Sequence, residues 1–262
     1  MRVWAVANQK GGVGKTTTAV TLAGLLAQKG YRTLLVDTDP HGSLTTYFRY
    51  SPETLETSVY SLFEKNEVDP SLIIKPTRFE RLQILPASMA LATLDRQLGA
   101  KSGMGLVLKK GLDQLQDRYD YAVIDCPPML GVLMVNALAA CEHLLMPVQT
   151  EFLALKGLER MLNTLTMITR SRKMKLPYTI VPTLFDRRTR ASTDALRALK
   201  DTYGEEGLWR RWIPIDTQFR EASKAGAPLS MIAPDSRGAQ AYQSLLNDLL
   251  AMYEQRTQAV AS

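Results

Sequence analysis

The sequence predicts an α/β fold: a mostly parallel central sheet with helices on both faces. Three observations predict it. Apolar runs at 3–7, 33–37, 82–87, 119–125, 143–148 and 178–186 read as strands and their exits, and they alternate with stretches of helical spacing. The first run passes through a glycine-rich stretch straight into a helical pattern. Two of the strands themselves end in aspartate, at Asp37 and Asp125, where a parallel sheet gathers its ligand-binding loops. A length of 262 residues with 45% hydrophobic content suits one large domain spanning 1–262 with a full core, and no apolar run is long enough to cross a bilayer.

The opening strand feeds Gln9-Lys10-Gly11-Gly12-Val13-Gly14-Lys15-Thr16-Thr17. Ala19, Val20, Leu22, Ala23, Leu25 and Leu26 then mark the buried side of a helix. Strand, glycine-rich loop and helix start together form the context of a phosphate-binding loop. Glycines allow successive N–H groups to turn onto one anion, and the helix start adds its positive dipole end. Lys15 would reach the terminal phosphates and the Thr16 hydroxyl would hold Mg²⁺. ATP and Mg²⁺ are the cofactors this loop calls for.

Gly30 is placed to end the first helix. The second strand, 33–37, runs into Asp37-Thr38-Asp39-Pro40-His41-Gly42-Ser43. A short helix follows at 44–48, another at 58–63, and Pro52, Pro70 and Pro76 punctuate the region between them and the next strand. Beyond the 82–87 strand, 104–115 reads as a helix, with Leu106, Leu108, Leu112 and Leu115 inward. The strand ending at Asp125, followed by Cys126-Pro127-Pro128, is a Walker B arrangement, in which the carboxylate accepts from Mg²⁺-bound water and the Thr16 hydroxyl. Helices at 132–140 and 153–169, a short strand at 208–214 and a final amphipathic helix from Ala239 to Leu250 complete the reading.

KGGVGKTTT, with Gln9 in place of the usual first glycine and the extra Lys10, resembles the deviant Walker A of the ParA/MinD family of dimerising ATPases, in its short Soj-like form. The Asp37–Gly42 segment resembles the family's switch I, Asp125 to Gly131 its switch II, and Thr183 to Thr189 its TMYDxRT segment. The resemblance spans nearly the whole chain and implies the nitrogenase iron protein-like P-loop architecture, with a helix after the 82–87 strand whose buried side Met89, Leu91 and Leu94 would line. It implies nucleotide contacts from Lys10, Gly11, Gly12, Val13, Gly14, Lys15, Thr16 and Thr17, with Pro214 against the adenine. Thr16, Asp39 and Asp125 would serve the metal. Asp39 would position the attacking water, and Asp37 would sit behind the metal ligands. Lys10 would cross to the phosphates of a second copy, so the implied engine is a homodimer closed by ATP and opened by partner-stimulated hydrolysis.

What such an engine carries is less sharply written. Net charge is +6, and residues 170–220 hold 12 Lys/Arg against 6 Asp/Glu, which suits phosphate contacts without sequence information. Where the family's DNA-partitioning members read IPRNVRLxEA, this chain has Ile215 and Gln218 in place of two arginines, and Arg220 in place of a small residue. Arg188 matches, so Arg188 and Arg220 are the candidate DNA contacts. The departures leave two cargoes open: DNA, handed over by a ParB-like activator, or a protein assembly such as a chemoreceptor array or flagellar machinery. A third reading, a P-loop ligase of biotin or cobalamin synthesis, needs a pocket for a small acid that no segment suggests. The tail from Met252 carries one arginine and no cationic apolar face, which argues against membrane attachment. No helix-turn-helix segment precedes the loop. Cys126 and Cys141 form no metal or disulfide pattern and fit a reducing cytoplasm, with the nucleoid or a cell pole as the place of action.

Overall fold

The computed structural model describes residues 1–64, 68–94, 104–172, 176–204 and 207–261, with backbone alone for 171, 172 and 256–261. The side chains of the tail from Arg256 on, and positions 173–175 and 205–206 of the basic stretch, lie outside the described residues.

Seven strands form one sheet in the order β3-β4-β2-β5-β1-β6-β7. They are β1 (Arg2–Val6), β2 (Thr33–Asp37), β3 (Lys75–Pro76), β4 (Leu82–Leu85), β5 (Tyr121–Asp125), β6 (His143–Gln149) and β7 (Tyr178–Thr183). All neighbours run parallel except β3, a two-residue antiparallel edge on β4. Register sets the chemistry: Asp125 pairs with Val6 on one side and Asp37 on the other, so both acids lie level with the end of β1.

Side-chain alternation sorts each central strand between two cores. Val3, Ala5, Leu34, Val36, Ala122 and Ile124 face a cluster that includes the helices Val132–Ala140 and Phe152–Arg172. Trp4, Val6, Leu35, Tyr121 and Val123 face the first helix, α1 (Lys15–Gln28), and the last, Arg237–Ala261. Trp4, fully buried, donates its indole N–H to the Tyr253 hydroxyl at 3.0 Å and so ties the chain's last helix to its first strand. Both cysteines are buried in the first cluster. No helix among the described residues is long and apolar enough to cross a membrane.

Close approach dictates one glycine. A Cβ on Gly24 of α1 would sit 2.3 Å from Pro228 Cβ. Gly24→Ala is expected to cost about 1–3 kcal/mol, from forced separation of α1 from the Gly226–Pro228 turn, read as a lower urea midpoint.

Three local expectations are corrected. The 208–214 segment bends at Arg210 and Arg211 and forms no ladder: it touches the sheet through isolated bridges, Leu208 to Ile180 and Pro214 to Phe185. Pro214 offers no N–H, and a single bridge at each end is what remains. Met89 is exposed while Leu91 and Leu94 are buried, because residues 89–93 form a tight 3₁₀ turn with three-residue spacing rather than an α-helix. Leu106 is likewise exposed, at the 3₁₀ entry (Met104–Leu106) to the α-helix Val107–Asp113.

Candidate nucleotide-binding site

The loop from β1 to α1 turns through left-handed backbone at Gly12 (φ 75°) and Gly14 (φ 90°). A Cβ at either would meet nothing within 4 Å, so these positions demand backbone freedom rather than space. Gly14 caps α1 with no side-chain hydrogen bond, which leaves the helix's first N–H groups for an anion at the positive dipole end. The Thr183 hydroxyl at the end of β7 donates to the Val13 carbonyl at 2.8 Å and braces the loop from behind.

Lys15 is buried, and its ammonium donates to the Lys10 carbonyl at 3.0 Å. Burial lowers its proton affinity, and the carboxylates of Asp125 and Asp39 pull it back up. The Thr16 hydroxyl donates to Asp125 Oδ2 at 2.6 Å. Asp125 Oδ1 is buried with no hydrogen-bond partner. Burial first, and then the neighbouring Asp37, hold the Asp125 carboxyl well above its ordinary pKa. A buried, orphaned carboxylate oxygen that resists ionisation is a site short of positive charge. Its pairing with a threonine hydroxyl gives the hard oxygen donors that Mg²⁺ takes. Among the described residues no group of three or more His, Cys, Asp or Glu could hold a metal by itself.

Asp37 is fully buried and its oxygens are committed. Oδ2 accepts from the Thr45 N–H at 2.8 Å and hydroxyl at 2.7 Å, and Oδ1 from the Asp39 N–H at 3.1 Å. Burial raises its pKa to about 7 even against those bonds. Thr45 Oγ1 accepts in turn from the Ala87 N–H at 2.9 Å, so Asp37 fastens the loop after β2 to the exit of β4. Thr38 fastens the same loop to β5, with its N–H and hydroxyl donating to the Asp125 carbonyl at 3.0 and 2.7 Å. Asp39 lies beyond this anchor. Its Oδ1 accepts from the His41 N–H at 3.0 Å and lies 2.9 Å from His41 Nδ1. His41 is thus a solvent-facing loop residue tethered to Asp39.

Lys10 stands at the rim. Its ammonium is paired with the Glu151 carboxylate and lies 3.4 Å from Gln149 Oε1. Its N–H donates to Asn8 Oδ1 at 2.9 Å, and the buried Asn8 donates to the Pro147 carbonyl at 2.8 Å. The pocket beside it is lined by Met129, Leu130 and Leu153 together with Lys156 and Arg160, and its apolar members are uncovered. Met129 is 72% exposed, Phe152 70% and Leu153 67%, with Leu130 beside them at 47%. At the other end of the loop, a groove of about 190 Å³ is lined by Gly14, Thr17, Thr183, Pro214, Phe219 and Arg220.

The sequence-predicted residues therefore divide. Lys10 to Thr17, Asp39, Asp125 and Pro214 gather at the carboxyl ends of the strands. Arg220 borders them at the groove, and Arg188 does not join them. Arg188 grips Asp186 through Nε at 2.9 Å and a terminal nitrogen at 2.8 Å, and holds that carboxyl down to about 2. Arg220 is exposed and lines the groove beside the loop. Sequence reasoning missed Asn8, Thr45, Gln149 and Glu151, whose parts depend on contacts between distant segments.

The geometry has known counterparts. A family model described as an AAA domain matches residues 1–178. The chain is 36% identical over 251 residues to the sporulation initiation inhibitor protein Soj of Bacillus subtilis, covering 95% of this chain and 98% of Soj. It is 33% identical to the chromosome partitioning protein ParA of Caulobacter vibrioides, covering 98% and 96%. Among solved structures, a Mycobacterium smegmatis protein titled cobyrinic acid a,c-diamide synthase, with bound ADP and magnesium, superposes with a TM-score of 0.83 at 35% identity, covering 97% of this chain and 95% of that one.

Proposed function

The chain belongs to the ParA/Soj family of partitioning P-loop ATPases, and from that premise we propose a nucleotide-gated clamp. Two copies close face to face on ATP, and hydrolysis releases them. The observation that carries this reading is Lys10. A loop cation stands outside its own Lys15–Thr16 site, in a pocket shared with the uncovered Met129, Leu130 and Leu153 and with Lys156 and Arg160. Apolar side chains so exposed beside a charged site are what a partner surface covers.

In this reading α1's N–H groups and Lys15 hold the phosphates, and Thr16 and Asp125 hold Mg²⁺, which neutralises charge on the phosphate oxygens. Asp39 orients the attacking water. Thr38 and Asp37 keep the start of that loop against β5 and the exit of β4, so a change at the terminal phosphate acts on the part beyond them, which carries Asp39. Lys10 of each copy meets the other's phosphates. The cargo is DNA or a protein assembly. Arg188 is engaged by Asp186, while Arg187, Arg210, Arg211 and Arg220 are exposed cations that DNA phosphates could meet. DNA retention that falls steeply with salt in a gel-shift titration favours DNA as cargo, and no retention at low salt favours protein.

The clamp is tested by ATP turnover per subunit against protein concentration. It should climb and then plateau as pairs form, and a flat line would remove the clamp. The name of the Mycobacterium smegmatis structure favours a second reading, amidation of a carboxylic acid. Turnover that requires an added acid and an ammonia source, and is indifferent to protein concentration, would favour that reading.

A further inference from the structure

The contacts of Lys10 are made within one chain. The ammonium pairs with Glu151, with Gln149 as a second oxygen at 3.4 Å. Both acceptors lie at the junction of β6 and the helix Phe152–Arg172. That helix hugs the loop: a Cβ on Gly157 would stand 3.4 Å from Lys10 Cβ, and Gln9 donates to the Thr164 hydroxyl at 2.8 Å. The Lys10 and Glu151 side chains are 26% and 37% exposed, so the pair sits at the rim that a second copy would cover.

We propose that Glu151 is a latch on Lys10. In the separate subunit the carboxylate holds the ammonium against its own chain, and subunits pair only when a stronger anion draws the ammonium away. The proposal rests on the crossing role given to Lys10 above. One carboxylate carries a single charge, whereas a triphosphate presents several, with oxygens that accept charge-assisted hydrogen bonds. Without nucleotide, a freed Lys10 from each copy would bring like charges to one seam. Latched, each is neutralised but unavailable. The latch therefore makes pairing conditional on phosphate. Because Glu151 directly precedes the helix bearing Phe152 and Leu153, its release also loosens the apolar rim that the partner must cover.

Glu151→Gln keeps the side chain's shape and an acceptor oxygen and removes the charge. The full chain without nucleotide is treated with trace acetic anhydride, and acetylation of Lys10 is measured by peptide mass spectrometry against the exposed Lys29. The ratio should rise about threefold in the variant, the scale of a partly exposed ion pair. In ATP and Mg²⁺, sedimentation should then give a dissociation constant about tenfold lower, since two latches open per pair. An unchanged labelling ratio overturns the latch, whether or not subunits pair. Faster labelling with unaltered or weakened pairing overturns its control of assembly. If the parent chain never pairs with ATP, the clamp reading fails, and the labelling ratio alone still decides whether Glu151 holds Lys10.

Discussion

Lys10→Ala is expected to bind ATP as the parent chain does and to fail at pairing. The loop does not depend on the side chain being removed. The Lys10 carbonyl still accepts from Lys15, and its N–H still donates to Asn8. Gly12, Gly14 and the start of α1 are untouched. What disappears is one cation per subunit, each expected to make charge-assisted bonds across the seam worth about 1.5–3 kcal/mol. Two per pair weaken the assembly by about 3 kcal/mol or more, at least a hundredfold in dissociation constant. The loss also strands Glu151, whose carboxylate would then face incoming phosphates without its partner. Fluorescent nucleotide titration reads the first half of the prediction and sedimentation velocity in ATP and Mg²⁺ the second. A variant that pairs as tightly as the parent would show that Lys10 never reaches a second copy.

Asp39→Ala should do the opposite, keeping the pair and losing the cleavage. Its carboxylate lies beyond the anchored part of the loop, while its N–H is held by Asp37, a bond that alanine retains. Thr38 still binds the Asp125 carbonyl, so the metal-side acid keeps its place. Removal of a group that orients or accepts a proton from water costs on the order of 10²–10⁴ in rate. Phosphate release in a single turnover should fall by at least about a hundredfold, with the ATP-bound pair persisting in sedimentation. The lost tether leaves His41 free in solvent, which should not matter, since that ring is 82% exposed. Parent-like turnover would remove Asp39 from the water's neighbourhood.

Much of this was legible in the chain because the chemistry is local. Lys15, Thr16 and the glycines are consecutive, and left-handed backbone at Gly12 and Gly14 is written in their having no Cβ. The sheet was legible through alternation, visible in Val3 and Ala5 facing one core and Trp4 and Val6 the other. That Asp125 should lie level with β1's end followed from a parallel sheet. Its orphaned Oδ1 did not, because burial and hydrogen bonding are properties of the assembled fold. Asp37 resembled a residue standing behind the metal, yet both its oxygens are spent on Thr45 and the Asp39 backbone. Nothing in spacing couples residue 37 to residue 45 so specifically. Glu151 was hidden for the same reason: an acid at a strand exit is ordinary until a lysine 141 positions earlier is found against it. Arg188 shows the converse, since a motif match named it for DNA and its two-residue neighbour Asp186 holds it.

The central claim is that nucleotide joins two copies of this chain. Light scattering on the full chain with a non-hydrolysable ATP analogue and Mg²⁺, compared with ADP, measures it most directly. The account predicts a species of twice the 29.2 kDa subunit mass with the analogue and a single subunit with ADP. A 29.2 kDa species in both, at every protein concentration that saturates the site, would contradict it.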